Sequence, residues 1–418
     1  MNDAGPGFFA RLDARVWKLK LWIALRAARG HRGRLKNTRI VGVTGSCGKT
    51  TAKELIYEVL SSKWRGAKNQ WTLNRTTNVA MALLRLRAHH HFFVQEVSVD
   101  FPGYIDGTLR LLRPHVGVVT VIGQDHYRAF RTREAVAAEK GKLIACLPDD
   151  GLAVLNADDE LVLGMRALTR ARCVTYGCSP TADLRAKDLS AAWPERLSFT
   201  LLASGERIPV RTRLCGKLWM PSALAALATA VGMGIPPDEA ARTLEKIPPT
   251  PGRMCPVEVG DGITFIRDDW KSPLWTIPPV LEFMREARAK RKIIVLGNIS
   301  DYAGGADRKY PAVARQAAEA ADAILFVGPQ AHLALKARKH VGEGKIEAFD
   351  HPKKLNEYLK TFLRAGDLVL IKGSNKADHL ERLTLDRVKP VGCWRSRCGR
   401  EHFCSDCPLV NKAADDSP

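Results

Sequence analysis

The stretch 41-VGVTGSCGKTTAKEL-55 constrains this chain more than any other. A strand-like apolar run enters a loop of small residues, and a helix-forming run leaves it. Such a turn lets backbone N–H groups converge on a phosphate at a helix N-terminus. The general phosphate-loop pattern places a glycine five residues before the Gly-Lys pair. Here that position is Val43, so the loop is a shortened one, Thr44-Gly45-Ser46-Cys47-Gly48-Lys49-Thr50. Thr44, Gly45, Ser46, Gly48 and Thr51 are expected to line the cradle. Lys49 is expected on the β- and γ-phosphates and the Thr50 hydroxyl on Mg²⁺.

What flanks the loop alternates. Strands are expected at Arg39–Thr44, His91–Val97, Val116–Ile122 and Leu152–Leu155, with helices at Thr50–Ser61 and Arg133–Cys146 between them. Strands separated by helices indicate a parallel sheet covered on both faces. Residues 175–215 alternate in short runs, which predicts an antiparallel edge, and a helix follows at Ser222–Val231. The stretch 246-KIPPTPGR-253 reads as a domain boundary. Beyond it come a strand at Thr264–Arg267, a helix at Leu274–Ala289, a strand at Lys292–Leu296, a helix at Tyr310–Ala321, and strands at Ala323–Val327 and Leu368–Lys372.

Composition excludes several classes. No run approaches the 18 apolar residues of a spanning helix, and the N-terminus lacks the apolar core of a signal peptide. A cytoplasmic protein is the default expectation. The net charge of +21 favours polyanionic ligands. Part of it is local, with ten Lys or Arg against two Asp in residues 1–39. Within that segment Phe9, Leu12, Val16, Leu19 and Ile23 repeat at spacings of 3 and 4, a helical stripe. Two readings stand for this basic helix: docking on the body of the protein, or lying on the inner face of an anionic membrane.

Further segments follow in a recognisable order: 73-LNRTTNVAMALLRL-86, 94-VQEVSVDFPGYIDGTLRLLRPHVGVVT-120, 123-GQDHYRAFRTREAVAAEKGKLI-144, 155-LNADDE-160, 251-PGR-253, 266-IRDDWKSP-273, 295-VLGNISDYAGG-305 and 369-VLIKGSNKADHLERL-383. With the loop, they resemble the Mur ligase family, above all its branch that adds a D-alanyl-D-alanine dipeptide. The resemblance covers roughly residues 38–385.

It implies an α/β protein: a P-loop central ATPase domain with a parallel sheet, then a C-terminal Rossmann-like α/β domain. The domains expected are the basic helix at 1–37, the ATP-binding domain at 38–247, the C-terminal domain at 248–388 and a Cys-rich tail at 389–418. The resemblance implies ATP-dependent joining of a carboxylate to an amine through an acyl phosphate. The carboxylate is a small-molecule or glycan-linked one, the amine that of an amino acid or peptide, and a cell-envelope precursor is the expected product. Glu96, His126 and a carbamoylated Lys140 are implied as Mg²⁺ ligands with Thr50. Arg253 is implied on the γ-phosphate, Asp269 on the ribose, Lys271 facing phosphate and Ser222 on the adenine side.

The departures are specific. Only the basic helix precedes the first strand where the family grips a UDP-sugar, so that group is not expected to be held in the usual way. The family's His and two Asn after a Gly appear as Leu218, Trp219 and Ser222 in 216-GKLWMPSALAA-226. The tail 393-CWRSRCGREHFCSDC-407 places Cys393, Cys398, Cys404 and Cys407 at spacings that suit tetrahedral zinc. An iron–sulfur cluster or unliganded cysteines are the alternatives. Trp394 and the arginines around it would suit contact with a partner protein; nucleic acid is not an expected partner. Other activities also stand open: ligation of amino acids to a small cofactor, or an inactive nucleotide-binding protein with a regulatory role.

Overall fold

The computed structural model describes residues 8–124, 127–396, 398–400 and 402–413, with side chains omitted at 8–20, 127 and 128. It divides into two compact units. The first comprises residues 1–186, 201–208 and 221–244, the second residues 187–200, 209–220 and 245–418.

Helix α1 (Phe8–Arg34) opens the chain. The strands of the first sheet are β1 (Arg39–Thr44), β2 (Gly66–Lys68), β3 (Phe92–Glu96), β4 (Val116–Val119), β5 (Leu152–Asn156), β6 (Arg172–Gly177), β7 (Leu184–Ser190), β8 (Ser198–Ala203) and β9 (Glu206–Arg211). Their order is β2-β3-β1-β4-β5-β6-β7-β8-β9. The strands β2 to β6, with β1 at their centre, pair in parallel. β1, β3, β4 and β5 are buried almost throughout, which is why each reads as an unbroken apolar run rather than an alternation. β7 also pairs with β6 in parallel, so the antiparallel edge expected over residues 175–215 begins no earlier than after β7. Ser204 and Gly205, both with positive φ, join β8 to β9 in a two-residue hairpin.

Helices α2 (Lys49–Ser61), α3 (Thr76–Arg85), α4 (Tyr104–Leu112), α5 (Tyr127–Phe130), α6 (Arg133–Ala145), α7 (Glu160–Leu163), α8 (Met220–Gly232) and α9 (Pro237–Leu244) complete the first unit. Residues 222–230 of α8 are buried one after another, so its small side chains meet neighbours on every face. The C-terminal half of α1 is docked. Ala28 and Leu35 join a core with Val79, Leu83 and Leu112, and the His31 imidazole lies 3.0 Å from the Leu86 carbonyl.

The second unit carries β10 (Cys255–Glu258), β11 (Thr264–Asp268), β12 (Arg291–Leu296), β13 (Ala323–Val327), β14 (Ile346–Phe349) and β15 (Asp367–Lys372). Their order is β10-β11-β15-β12-β13-β14, parallel except for β10 against β11. Helices α10 (Ile277–Glu286), α11 (Ala306–Ala318), α12 (Arg338–Val341), α13 (Pro352–Phe362) and α14 (Arg382–Val388) belong to it. Val391 and Trp394 join its core beside Leu355, Leu359 and Leu383, so the tail begins inside the domain. Among the described residues no helix is long and apolar enough to cross a membrane.

Candidate active site

β1 delivers Thr44 to the C-terminal edge of the sheet, and the chain turns there through two glycines with positive φ, Gly45 at 141° and Gly48 at 79°. Both turns are forced by space as well as torsion. A Cβ on Gly45 would stand 2.0 Å from Thr120 Oγ1, and one on Gly48 2.6 Å from Ser222 Oγ. α2 then starts at Lys49 with no side-chain cap and no acidic residue in its first turn. Its leading N–H groups have no intrahelical acceptors, which makes the end an anion site. The Lys49 ammonium lies along the loop, donating to the carbonyls of Gly45 (2.6 Å) and Ser46 (3.4 Å).

The loop meets a carboxylate. Val43 pairs with Glu96 across β1 and β3, which brings the end of β3 beside the start of α2. The Thr50 hydroxyl donates to Glu96 Oε2 at 2.8 Å, and Asn74 Nδ2 donates to Oε1 at 3.1 Å. The Glu96 backbone N–H is fixed by Asn69 Oδ1 at 2.8 Å, and Glu96 is only 2% exposed. A carboxylate and a hydroxyl are hard oxygen donors that suit Mg²⁺. Asn69 and Asn74 are site residues that the sequence reading did not single out. Lys53 behind them is another. It is fully buried and donates to the carbonyls of Asn69 (3.0 Å) and Trp71 (2.6 Å).

The other expected residues are placed as follows. Lys140 is fully buried on α6. His126 lies outside the described residues. Ser222 is 1% exposed, with its hydroxyl donated to the Gly48 carbonyl at 3.3 Å, so it supports the loop from behind. Thr51 is likewise buried behind it. The run 155-LNADDE-160 braces the same edge: Asn156 donates to the Thr120 carbonyl (2.9 Å), and Asp159 accepts from the Ile122 N–H (2.7 Å).

In the second unit Arg253 is half-buried and follows Gly252, whose φ is 67°. Asp269 is 3% exposed, and both its oxygens are held by Arg267 at 3.2 and 3.3 Å. Arg267 also pairs with Glu381 at 2.9 Å. Burial works against this guanidinium's charge, but the two carboxylates outweigh it and raise its pKa. Lys271 is exposed, and its carbonyl accepts from Lys372.

Two of the tail's four cysteines lie beside a histidine of the same domain. Among the described residues no group of three or more His, Cys, Asp or Glu is arranged to hold a metal. Cys398 and Cys404 flank the two nitrogens of His379, Sγ to Nε2 at 2.9 Å and Sγ to Nδ1 at 3.6 Å. Cys398 and Cys407 are both near enough to Cys404 to act on its thiol. Burial pushes the Cys404 thiol up to about 12. Trp394, expected as a contact residue, is 4% exposed and donates its Nε1–H to the Val391 carbonyl. The tail folds back on its own domain. Glu381 accepts from the N–H groups of Cys404 (2.6 Å) and Ser405 (3.3 Å), and the Phe403 ring lies 4.7 Å from that of Trp270.

Residues 43–230 match the Mur ligase middle domain and residues 252–375 the Mur ligase glutamate ligase domain, together about three quarters of the chain. The chain is 28% identical over 346 residues to the UDP-N-acetylmuramoyl-tripeptide–D-alanyl-D-alanine ligase of Escherichia coli K12, covering 81% of this chain and 75% of the relative. Against the same ligase of Bacillus subtilis 168 it is 27% identical, covering 84% and 76%. The crystal structure of MurF from Acinetobacter baumannii superposes with a TM-score of 0.78 at 24% identity, covering 88% of this chain and 80% of that one, a likeness of fold. The chain belongs to the Mur ligase family, ATP-dependent enzymes that form amide bonds, and carries that family's middle and C-terminal domains.

Proposed function

We propose that this chain uses ATP to join the amine of a dipeptide, D-alanyl-D-alanine in the first instance, to a carboxylate of a cell-envelope precursor. The observation that carries the reading is the convergence at the end of β1: an anion-binding helix start, the Lys49 ammonium, and the Thr50 hydroxyl bonded to Glu96. The substrates come from the relatives, which are named for adding that dipeptide to a UDP-linked tripeptide.

The residues divide the work. The cradle binds the phosphates, and Lys49 neutralises charge as the γ-phosphoryl moves to the substrate carboxylate. The amine then displaces phosphate from the acyl phosphate, giving the amide. Thr50 and Glu96 would hold Mg²⁺, which supplies Lewis-acid stabilisation of the transferring group. Lys140 takes up CO₂ as a carbamate, turning a cation into an oxygen ligand; its complete burial supports this by keeping the modified group from bulk water. His126 is proposed as a further ligand. Arg253 and Lys271 serve phosphate and Asp269 the nucleotide ribose.

The test is phosphate release with UDP-N-acetylmuramoyl-tripeptide, Mg²⁺ and D-alanyl-D-alanine, with single amino acids in parallel. Turnover that requires both the carboxylate and the dipeptide is expected. ATP binding without turnover for any acceptor pair would sink the ligase reading. For Lys140, the expected results are stimulation by bicarbonate and its loss in Lys140→Ala, restored in part by short-chain carboxylates.

A further inference from the structure

At the edge of the first sheet opposite the cradle, where β1, β4 and β5 begin, lies a cleft of about 890 Å³. The six residues of β1 set this edge about 20 Å from the nucleotide loop. The walls are the end of α1, the end of α4 with Arg113–His115, and the end of α6.

The walls are also basic. Arg32, Lys36, Arg110 and Arg113 line the cleft, and no carboxylate pairs with any of them among the described residues. Its two carboxylates are paired with other cations: Asp106 with Lys142, which also lines the cleft, at 3.0 Å, and Asp150 with Arg39 at 3.8 Å. Arg32 is held rigidly, 6% exposed, donating to the carbonyls of Leu112 and Arg113, both at 2.8 Å. His115 registers the crowding. Its imidazole is pushed down to about 4, first by burial and then by Arg32 and Arg39.

α1 leads straight to this cleft. Trp22, Arg26, Arg29 and Gly33 follow one another at spacings of 4, 3 and 4, one face of a helix, and Gly33 lines the cleft. Trp22 is 57% exposed with the Arg26 guanidinium 5.5 Å from its ring, and Ile23 beside it is 52% exposed. An exposed indole, a neighbouring aliphatic side chain and a line of cations are what an anionic lipid surface accepts: the ring sits at headgroup depth and the cations meet phosphate.

We propose that the cleft is a binding site for a phosphate-bearing anion, the headgroup of an anionic phospholipid, and that α1 lays its Trp22–Gly33 face on the membrane to reach it. The proposal stands apart from the ligase reading, because the cleft and the cradle occupy opposite edges of the sheet.

Flotation of the full chain with vesicles tests it. Binding is expected to phosphatidylcholine vesicles containing phosphatidylglycerol and not to pure phosphatidylcholine. The triple variant K36E/R110E/R113E is expected to weaken it on the order of a hundredfold, and W22S to weaken it as well. Both should keep the wild-type melting temperature and ATP binding. Should the triple variant fold poorly, Arg110→Glu alone, on an exposed residue, carries the same expectation at about fivefold. Vesicle binding that ignores lipid charge or survives the cleft variants would overturn the site. Inorganic pyrophosphate raising the melting temperature of the wild type but not of the variants, with no vesicle binding, would overturn the lipid source. Displacement by a random DNA duplex at far lower concentration than the vesicles require would do the same.

Discussion

Lys53 places an ammonium where no solvent reaches, and three groups account for it: the carbonyls of Asn69 and Trp71, and Glu54 Oε1 at 2.8 Å. Removing one member of a buried charged set leaves the others unpaired. Lys53→Ala is therefore expected to cost about 3 kcal/mol or more in a urea titration. The loss should also reach the site, since the segment Lys53 holds presents Asn69 and Asn74 to Glu96. Glu96 itself sets the scale. Glu96→Gln keeps the shape and an acceptor for Thr50 but removes the charge meant for the metal, so phosphate release is expected to fall by about a thousandfold. Asn74→Ala removes one donor to that charge and should cost about ten- to a hundredfold. Equal losses in the two variants would contradict this division of roles.

At the scale of elements, the cradle is the tightest joint in the first unit. Gly45→Ala meets two obstacles, the left-handed torsion and the Thr120 hydroxyl. The variant is expected to lose ATP binding by isothermal calorimetry. Adding Thr120→Ala relieves the collision but not the torsion, so the double variant should recover binding only in part. The joint was legible in the sequence because everything that forms it is local: small residues at fixed spacing between a strand run and a helix run. The strand limits at Arg39–Thr44 and Ala323–Val327 were legible for the same reason, as buried parallel strands carry unbroken apolar runs. The three-residue β2 carries too few residues for any period. The tail shows where reading by spacing runs out. Four cysteines at knuckle spacing were visible, but His379 and Glu381 reach two of them, and Trp270 the neighbouring Phe403, from distant positions that no local pattern announces. Asp269, read by family analogy as a ribose contact, is positioned through both its oxygens by Arg267, two residues away. Phe403, 4% exposed and against Gly252 and Trp270, is one anchor of the tail. Phe403→Ala is expected to cost about 3 kcal/mol, read as a lower urea midpoint.

Over the whole molecule, acid should act unequally on the two units. In the second unit two shifts oppose each other. Burial raises Asp378 to about 6, so its folded form holds a proton that the unfolded chain has lost, and stability grows as pH falls through that value. Burial and then Arg382 lower His379 to about 4, so the unfolded chain takes the extra proton and stability falls over nearly the same range. Between pH 4 and 6 these proton counts cancel. Among the described residues of the first unit, the shift of His115 meets no such opposing one. His115 is depressed to about 4, and His90 is depressed too, first by burial and then by His89. Their neutral forms contribute stability that is complete above the ordinary histidine pKa of about 6.5 and is lost as pH falls below it, for His115 down to about 4. The His115 ring is part exposed, and solvent screening reduces the effect to a few degrees of melting temperature. His115→Asn, which keeps an acceptor for the Ile40 N–H bonded to Nδ1 at 3.0 Å, should flatten the decline of the first unit's calorimetric transition between pH 6.5 and 4.5. Parallel pH profiles for wild type and variant would show that the cations around the cleft do not act through this ring.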